Sequence, residues 1–466
     1  MKKLLLSVVL FFSISFIGFA QSGKAKYVFF FIGDGMGMNQ VHGTEMYLGE
    51  KQGAIGTVAP LTFTQFPFTG YSKTYSTHNS ITDSAAGGTA LAAGHKTKNG
   101  TIGMDSAHTT AFESVAEKAK KAGKKVGIMT SVSIDHATPA SFYAHQPSRS
   151  MAYEIGKDLA KSDFDFFAAS DFVSPKGTSG KEEDLFKIVK NAGYTVVRGV
   201  DEYNKKSAKS DKMILFQKNG ATTSNIPYAI DRKDGDLTLT QITQSAIDFM
   251  KKDNRGFFMM IEGGQIDWAA HSNDGATAFE EVIDMDNAVK EAFKFFMAHP
   301  DSTLIVITAD HETGGLGLGK SGYTLDLKQF DNQKISKAQL SSDIVALSKK
   351  NKGKVSYDQI KELLKKELGF WDSVKLTESE ENALENEYNN MVSNSAKKVK
   401  SEYFVDESLA NVAIAILNDK AKIGWTTSGH SGAYVPVFAI GAGAEQFTGL
   451  QENTDIPKKI AKAAGY

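Results

Sequence analysis

The sequence predicts an α/β protein whose central, mostly parallel sheet is flanked by helices on both faces. Continuous apolar runs of strand length recur along the chain, and stretches with helical apolar spacing alternate with them. A run without polar alternation is typical of a strand buried on both faces of a parallel sheet. Several runs lead into an aspartate, glutamate or histidine, which predicts polar side chains at the edge where open α/β sheets bind ligands.

The first strand is predicted from Tyr27 to Ile32, where an entirely apolar run stops at Gly33-Asp34-Gly35. Four later runs have the same character and are predicted as strands: Val126–Thr130, Phe257–Ile261, Leu304–Thr308 and Val437–Ile440. Between these runs, helices are predicted at Thr110–Ala122, Leu239–Lys251 and Ala276–Met297. The first of them begins with Thr110-x-x-Glu113, which has the spacing of a capping box.

The section from about Lys320 to Ala421 is richer in Lys, Glu, Ser and Asn and is helical in pattern almost throughout. Ser356 and Gln359 have capping-box spacing before a predicted helix that Gly369 ends. Two apolar helix faces are predicted, one of Ile360, Leu363, Leu364 and Leu368 and one of Leu409, Val412, Ala413, Ile416 and Leu417. Because candidate ligands lie on both sides of it, we interpret residues 320–421 as a helix-rich insertion that covers the site.

The N-terminus has the pattern of a signal peptide. Lys2-Lys3 precedes an apolar stretch from Leu4 to Ile17, and Gly18-Phe19-Ala20 offers small residues for cleavage before Gln21. The alternative is a membrane anchor, which needs ~20 apolar residues and a stop-transfer pattern. We therefore expect residues 1–20 to be removed, residues 21–466 to form the catalytic domain, and the mature protein to be periplasmic or secreted without an anchor.

Composition excludes several function classes. The 466 residues include no cysteine, which excludes disulfides, thiolate zinc ligands and a cysteine nucleophile. The formal net charge is −1, and it becomes −3 once Lys2 and Lys3 are lost. Such a chain has no basic field for nucleic acid or an anionic membrane, so a small substrate is expected.

The segment from Glu262 to His271 carries three candidate metal ligands. Asp267 and His271 are four residues apart, so on a helix both face one ion with the oxygen and nitrogen donors that suit zinc. Glu262 follows the Phe257–Ile261 run, and its oxygens suit a harder ion such as magnesium. Such an Asp-x-x-x-His pair is often only a surface pair on a helix, but the buried strand and the paired glycines before it favour a metal site.

Asp310 and His311 follow the Leu304–Thr308 run, and a buried ionisable group is costly unless it is paired or binds a metal. The alternative is an aspartate that caps a helix beside an incidental histidine. Asp34 either bridges two cations or caps a helix. His430 is expected at the end of an apolar run in the same way, and these segments together predict a centre of several metal ions.

Ser84 precedes a run of small residues, Ala85 to Ala90, that can open a helix. A helix N-terminus suits phosphate, so this serine is a candidate nucleophile, although a helix cap is its commoner role. No Gly-x-Ser-x-Gly motif or obvious His-Asp partner set surrounds it, and a metal could activate it instead. After the Val126–Thr130 run, Thr138 offers a hydroxyl oxygen for a hard cation and Arg149 a planar fork for two phosphate oxygens.

These motifs together resemble the metal-dependent bacterial alkaline phosphatases that use a serine nucleophile. The resemblance runs from about Lys24 to the C-terminus, and its segments are Gly33–Gly37, Thr82–Ala85, Ala137–Ala140 with Arg149, Glu262–His271, Thr308–Glu312 and Gly429–Gly432. It implies hydrolysis of small phosphate monoesters, with Ser84 becoming phosphorylated and Arg149 binding the phosphoryl oxygens. It also implies a homodimer.

The resemblance further implies two Zn²⁺ and one Mg²⁺. The implied ligands are Asp267, His271 and His430 for the first zinc, Asp34, Asp310 and His311 for the second, and Asp34, Thr138 and Glu262 for the third ion. Two neighbouring positions depart from the best-known bacterial pattern, because His136 replaces an aspartate and Trp268 replaces a lysine. These departures bear on the identity and occupancy of the third ion and on how phosphate is bound through water.

Two other functions compete with this one. The first is a phosphodiesterase of the same superfamily, but those enzymes resemble two-zinc sites with a threonine nucleophile and no third ion, whereas Thr138 and Glu262 are present here. The second is a non-catalytic exported metal-binding protein, which is disfavoured because every position of the matched set is filled.

Overall fold

The computed structural model describes residues 24–218, 224–320, 322–352, 354–393, 399–400 and 405–466. The predicted signal peptide, residues 1–20, lies outside them. The strands are β1 (Tyr27–Gly33), β2 (Phe68–Lys73), β3 (Lys125–Thr130), β4 (Phe166–Ala169), β5 (Tyr194–Arg198), β6 (Lys212–Phe216), β7 (Phe257–Gly263), β8 (Thr303–Thr308), β9 (Glu312–Thr313), β10 (Leu316–Leu318), β11 (Val399–Lys400), β12 (Val405–Asp406), β13 (Ile423–Trp425), β14 (His430–Ser431), β15 (Val435–Gly441) and β16 (Gly449–Glu452).

The helices connect these strands in alternation along most of the chain. They are α1 (Met38–Gln52), α2 (Ser84–Ala93), α3 (Val115–Lys121), α4 (Ala137–Ala140), α5 (Ala152–Lys161), α6 (Leu185–Asn191), α7 (Gly199–Lys206), α8 (Leu239–Met250), α9 (Gln265–His271), α10 (Gly275–Ala298), α11 (Lys337–Lys350), α12 (Tyr357–Leu368), α13 (Glu378–Val392), α14 (Ser408–Ala421) and α15 (Asp455–Ala464). Short 3₁₀ turns lie at Phe63–Gln65, Ser207–Lys209, Ala229–Asp231, Pro300–Ser302, Leu327–Asn332 and Ala444–Phe447.

A ten-stranded sheet forms the centre of the molecule, in the order β16-β2-β15-β8-β1-β7-β3-β4-β6-β5. Neighbouring strands are parallel except at β15, which runs antiparallel to both β8 and β2. This confirms the predicted mostly parallel sheet. Three further strand pairs, β10 with β13, β11 with β12 and β14 with β9, are separate two-stranded ladders.

The sheet is buried on both faces, as the apolar runs predict. Along β1, the side chains of Phe30 and Ile32 belong to one hydrophobic cluster, with residues of α2, α3, α5, α6 and α15. Phe29 and Phe31 point the other way into a second cluster, with residues of α1, α8 and α10. Since successive side chains of a strand alternate in direction, a strand covered on both sides must be apolar at every position.

All five predicted strands are present, and two of the three predicted helices differ from the observed ones by a residue at one or both ends. The helix predicted from Thr110 begins at Val115 instead, with Ser114 as its cap and Glu117 completing the capping box. Thr110 lies in the preceding loop, where its N–H donates to Asp105 Oδ1 at 3.0 Å. Asp105 thus accepts the N–H that Glu113 would have accepted in the predicted capping box, and the Thr110 carbonyl accepts the N–H of Asp105 at 2.9 Å instead of a helical N–H.

The prediction for His430 was wrong in one respect, because this residue precedes its apolar strand. It lies in β14, before β15. Since β15 is antiparallel to β8, its first residue is near the same sheet edge as the last residue of β8. A ligand ahead of β15 therefore reaches the place that ligands behind the parallel strands reach.

The section 320–421 contains α11 to α14 and a hydrophobic cluster of its own that includes Ile360, Leu364 and Leu417. The predicted capping box of Ser356 and Gln359 is present. The cluster continues onto the main body through Tyr47 of α1 and Phe279 of α10. The role of this section as an insertion over the site stays a prediction.

Among the described residues, no helix combines the length and apolar character needed to cross a bilayer.

We expect Phe30→Ala to lower the free energy of unfolding by ~3–5 kcal/mol, because it leaves a cavity in the middle of the sheet. Phe30 is fully buried and its ring lies 6.1 Å from that of Phe142. Urea denaturation followed by tryptophan fluorescence measures the change. Leu450→Ala is the control, since that side chain is 54% exposed. A Phe30→Ala variant that unfolds at the wild-type urea concentration would contradict the expectation.

Candidate active site

Three strand ends place carboxylates at one edge of the sheet. Ile32 of β1 pairs with Glu262 on one side and with Thr308 on the other. Asp34 and Asp310 each lie two residues beyond Ile32 and Thr308, so parallel pairing brings these two carboxylates to the same height, and Glu262 lies near the end of its strand one step below them. All three side chains are fully buried.

Gly35 allows the turn after β1 to run close to α9. Its φ is +71°, which favours glycine, and an added Cβ would lie 2.8 Å from the Cα of Asp267. The N–H of Gly35 donates to Asp310 Oδ1 at 3.2 Å, and the N–H of His311 donates to the same oxygen at 3.0 Å. The backbone therefore orients Asp310 from two sides.

A first donor group brings α9 together with β14. His271 Nε2 lies 3.4 Å from Asp267 Oδ2, and His430 Nε2 lies 3.7 Å from Asp267 Oδ1. The two imidazoles approach each other, with His271 Nε2 and His430 Nε2 3.1 Å apart. Asp267, His311 and His430 also offer ligand atoms within 4.8 Å of one another.

The hydrogen bonds on the far side of the two rings set their tautomers. His271 Nδ1 lies 2.5 Å from the carbonyl oxygen of Ser428, and His430 Nδ1 lies 2.8 Å from that of Thr82. A carbonyl accepts only, so each Nδ1 carries the proton and donates it. Each Nε2 then faces the other and Asp267, which is an arrangement that lets imidazoles share a metal ion.

The remaining ligands form two further groups that share Asp34. One group is Asp34, Asp310 and His311, and the other is Asp34, His136 and Glu262. His311 Nε2 lies 3.4 Å from Asp34 Oδ1 and 3.3 Å from Asp310 Oδ2. The predicted ligand Thr138 adjoins the second group, since its hydroxyl donates to Asp34 Oδ2 at 3.3 Å.

Four carboxylates of these groups each keep one oxygen without a hydrogen-bond partner among the described residues. The oxygens are Asp34 Oδ1, Glu262 Oε1, Asp267 Oδ2 and Asp310 Oδ2, and all are buried. Buried polar atoms are normally satisfied, so four such acceptors in one cluster, three of them 3.3–3.4 Å from an imidazole Nε2, indicate a site for further positive charge. The residues present thus fit divalent metal ions.

The pKa shifts of these carboxylates also indicate a site for cations. Burial and then the neighbouring carboxylates raise the pKa of Asp34 and of Asp310, and burial raises the pKa of Glu262 to about 7. Burial would raise the pKa of Asp267 as well, but the adjacent imidazoles, His271 foremost, hold it well below its usual range. Ionising Asp34, Asp310 and Glu262 together is therefore unfavourable without added positive charge.

Ser84 stands at the start of α2, directly above these groups. Its Oγ is buried and lies 3.2 Å from His311 Nε2. The helix cap is Asp83, whose Oδ1 accepts the N–H of Ala86 at 3.0 Å. The small residues let the helix approach the site closely, since a Cβ on Gly87 would lie 3.1 Å from the carbonyl oxygen of Asp310. Ser84 is therefore the first helical residue rather than the cap.

Arg149 reaches the same place from the loop after α4. Its Nη1 donates to Asp83 Oδ2 at 3.2 Å, and its Nη2 lies 3.1 Å from His136 Nε2. Burial and then Arg149 lower the pKa of His136 to about 3, so that imidazole is neutral at physiological pH. The ring of Trp268 meets His136 edge to face at 5.9 Å, which brings together the two positions that depart from the common bacterial pattern.

Three residues that touch the site were not predicted from the sequence. Asp83 joins Ser84 to Arg149, and its position as a capping aspartate before a small-residue helix was a usable signal. The hydroxyl of Thr130 donates to Glu262 Oε2, and that of Thr313 donates to Asp267 Oδ1. Neither threonine carried a signal, because their roles follow from which strands and loops become neighbours.

The fold and the site together define a class of protein, an α/β enzyme with a buried serine beside a polynuclear metal-type donor set at the sheet edge. The sequence profile described as alkaline phosphatase matches residues 25–466. The chain is 34% identical to alkaline phosphatase 3 of Bacillus subtilis (strain 168), over 95% of this chain and 90% of that protein. It belongs to the alkaline phosphatase family and is a phosphatase that acts on phosphate monoesters.

Solved structures agree with this membership. The cold-active alkaline phosphatase of Shewanella sp. is 29% identical with a TM-score of 0.78, covering 94% of this chain and 99% of that chain. A His-to-Asp variant of TAB5 alkaline phosphatase, with Mg bound in its M3 site, is 29% identical with a TM-score of 0.66, covering 95% of this chain and 99% of that chain.

We expect Asp34→Asn to have opposite effects on stability in two states of the protein. In chelated protein at pH 8, the substitution should raise the free energy of unfolding by ~1 kcal/mol or more, since it removes a buried carboxylate whose pKa is raised by burial and repulsion. After Zn²⁺ is added, the same variant should be less stable than wild type, because a ligand is lost. Thermal unfolding with and without chelator measures both. An equal shift in the two states would contradict a metal role for Asp34.

Proposed function

We propose that this phosphatase transfers the phosphoryl group to Ser84 and then hydrolyses the phosphoserine, at a site holding two Zn²⁺ and one Mg²⁺. The observation that carries the proposal is the position of Ser84 Oγ, which is buried at a helix N-terminus 3.2 Å from His311 Nε2 and next to the donor groups. Because His311 is a proposed metal ligand, a cation bound there, and not a free imidazole, would activate the hydroxyl.

The proposed ligands are those implied by the resemblance. Asp267, His271 and His430 would hold one zinc and Asp34, Asp310 and His311 the other, with Asp34, Thr138 and Glu262 holding magnesium. When bound, these ions supply positive charge to the entering and leaving oxygens of a loose phosphoryl-transfer transition state. His271 and His430 suit zinc because each presents an unprotonated Nε2.

The protein's own residues bind and orient the phosphoryl group. Arg149 offers its guanidinium fork to two phosphoryl oxygens, and Asp83 anchors that fork beside Ser84 through the contact at 3.2 Å. Ser84 is the first residue of α2, and the positive end of the helix dipole favours negative charge there. As the bond from Ser84 Oγ to phosphorus forms, the hydroxyl proton passes to water, and the P–O bond to the substrate's alcohol breaks on the opposite side, where that oxygen takes a proton from water. A water molecule then attacks the phosphoserine, which releases inorganic phosphate and returns the proton to Ser84 Oγ.

Export to the periplasm or the medium, removal of residues 1–20 and a homodimeric state are part of this proposal. They rest on the N-terminal sequence pattern and on the family resemblance. Edman sequencing of the secreted protein and sedimentation of the purified protein test them directly.

Ser84→Ala should lower phosphate release from a general monoester by ~10³-fold or more, because the covalent route is lost. The metal ligands are untouched, so metal content should stay at the wild-type level. The experiment compares steady-state rates and metal analysis with those of Ser245→Ala, a buried serine on α8 away from the site. Activity of Ser84→Ala within tenfold of wild type would refute the nucleophile assignment.

His136→Asp should tighten magnesium binding and reduce activation by added Mg²⁺. A neutral imidazole beside Asp34 and Glu262 suits zinc better than magnesium, whereas a carboxylate adds the charge and hard oxygen that magnesium prefers. In the TAB5 neighbour, a His-to-Asp variant carries Mg in the M3 site. Dialysis followed by metal analysis measures retention.

The matched control is His136→Asn, which changes size similarly without adding charge and should leave magnesium loose. Wild-type protein that keeps a full equivalent of magnesium through extended dialysis would show that His136 does not weaken the third site. Equal magnesium affinity in the aspartate variant and wild type would show the same.

A further inference from the structure

Glu312 is a buried carboxylate that the proposed chemistry does not use. It follows His311 directly in the chain, and it is 5% exposed. It belongs to none of the metal-type donor groups found among the described residues. Its position beside a ligand and its buried charge call for another role.

Four hydrogen bonds satisfy this carboxylate. Oε1 accepts from Gln40 Nε2 at 2.8 Å and from the N–H of Leu316 at 3.3 Å. Oε2 accepts from the N–H of Gly315 at 3.1 Å and from the hydroxyl of Ser431. All four partners are donors, so the charge of Glu312 is accommodated without a cation.

The donors come from segments that carry the ligands. Gln40 belongs to α1, which begins shortly after Asp34, and its Nε2 also donates to the carbonyl oxygen of Thr313 at 2.8 Å. The start of α1 packs against the aliphatic part of the Glu312 side chain, since a Cβ on Gly37 would lie 2.2 Å from Glu312 Cγ. The contact therefore links the turn after β1 to the segment after β8.

The link to Ser431 is the most consequential, because it joins the two short strands that follow His311 and carry His430. This strand and β9 are two residues long, and they pair His430 with Thr313 and Ser431 with Glu312. The rings of His311 and His430 stack with centroids 3.6 Å apart. The Ser431–Glu312 contact lies one residue beyond each of these rings in the chain, so it fixes the segment that carries one relative to the other.

We propose that Glu312 is a positioning residue that sets the separation of His430 from His311 and thereby the geometry of the metal centre. This inference rests on the proposed function, since it assumes that both histidines bind metal. Groups that orient metal ligands commonly change metal affinity by 10- to 100-fold when they are mutated. Glu312 acts on the ligand-bearing strand and not on an imidazole nitrogen.

The test is zinc affinity of Glu312→Gln, measured by competition with a chromophoric chelator in the absence of substrate. Whichever way the amide is oriented, its nitrogen faces a backbone N–H, that of Gly315 or of Leu316, where an oxygen now accepts, so one side of the link is lost. We expect zinc to be held about tenfold or more weakly than in wild type. The visible absorption of Co²⁺-substituted protein should also change, because it reports the coordination geometry directly.

Two companion variants make the result decisive. Glu50→Gln is the matched control, since Glu50 is a carboxylate with 1% exposure that accepts the N–H groups of Leu327 and Gly56. It should lower thermal stability without changing zinc affinity or the Co²⁺ spectrum. Ser431→Ala removes only the contact to β14 and should weaken zinc in the same direction, which keeps the test valid if Glu312→Gln fails to fold.

Wild-type zinc affinity and an unchanged Co²⁺ spectrum in Glu312→Gln would overturn the inference, as would the same result in Ser431→Ala when only that variant folds. Equal loss of zinc in Glu50→Gln would also overturn it, because the effect would then be general destabilisation. Wild-type protein measured alongside separates the two proposals. If wild type fails to bind two zinc ions, the proposed function fails. If it binds two and Glu312→Gln does likewise with equal affinity, only the positioning role fails.

Discussion

The structure depends on the burial of four carboxylates in one cluster. Asp34, Glu262, Asp267 and Asp310 have no exposed surface, and each keeps an oxygen that no described residue satisfies. Mutual repulsion and desolvation oppose this arrangement in the absence of cations. The arrangement of the cluster is that of a binding site for positive charge.

The scaffold tolerates this cluster because the sheet beneath it is apolar on both faces. The central strand β1 packs Phe30 and Ile32 against one hydrophobic cluster and Phe29 and Phe31 against the other. Such a strand is fixed in register by its neighbours, so the residue that follows it is delivered to a defined point. Loops as short as the turn at Gly35 add little freedom, and the donor groups are pre-organised by the sheet.

Protein groups around the metal-type ligands orient the imidazoles, the serine helix and Arg149. Backbone carbonyls set the tautomers of His271 and His430, and Asp83 both caps the serine helix and holds Arg149. A single carboxylate thus ties the candidate nucleophile to the candidate phosphate-binding group. Glu312 likewise links two segments, the one that carries His311 and the one that carries His430.

The sequence by itself determined the α/β class, the five strands and the residues offered as ligands, because apolar runs and the donors beside them are local patterns. Tertiary structure decided the rest. Because β15 runs antiparallel to β8, His430 reaches the sheet edge although it precedes its strand. The apolar periodicity of a strand does not reveal its direction in the sheet. The start of α3 depended on which side chain competed for the backbone near Thr110, and Thr313 entered the site only through the pairing of β9 with β14. These contacts join residues far apart in the chain, so their energies are absent from any local segment.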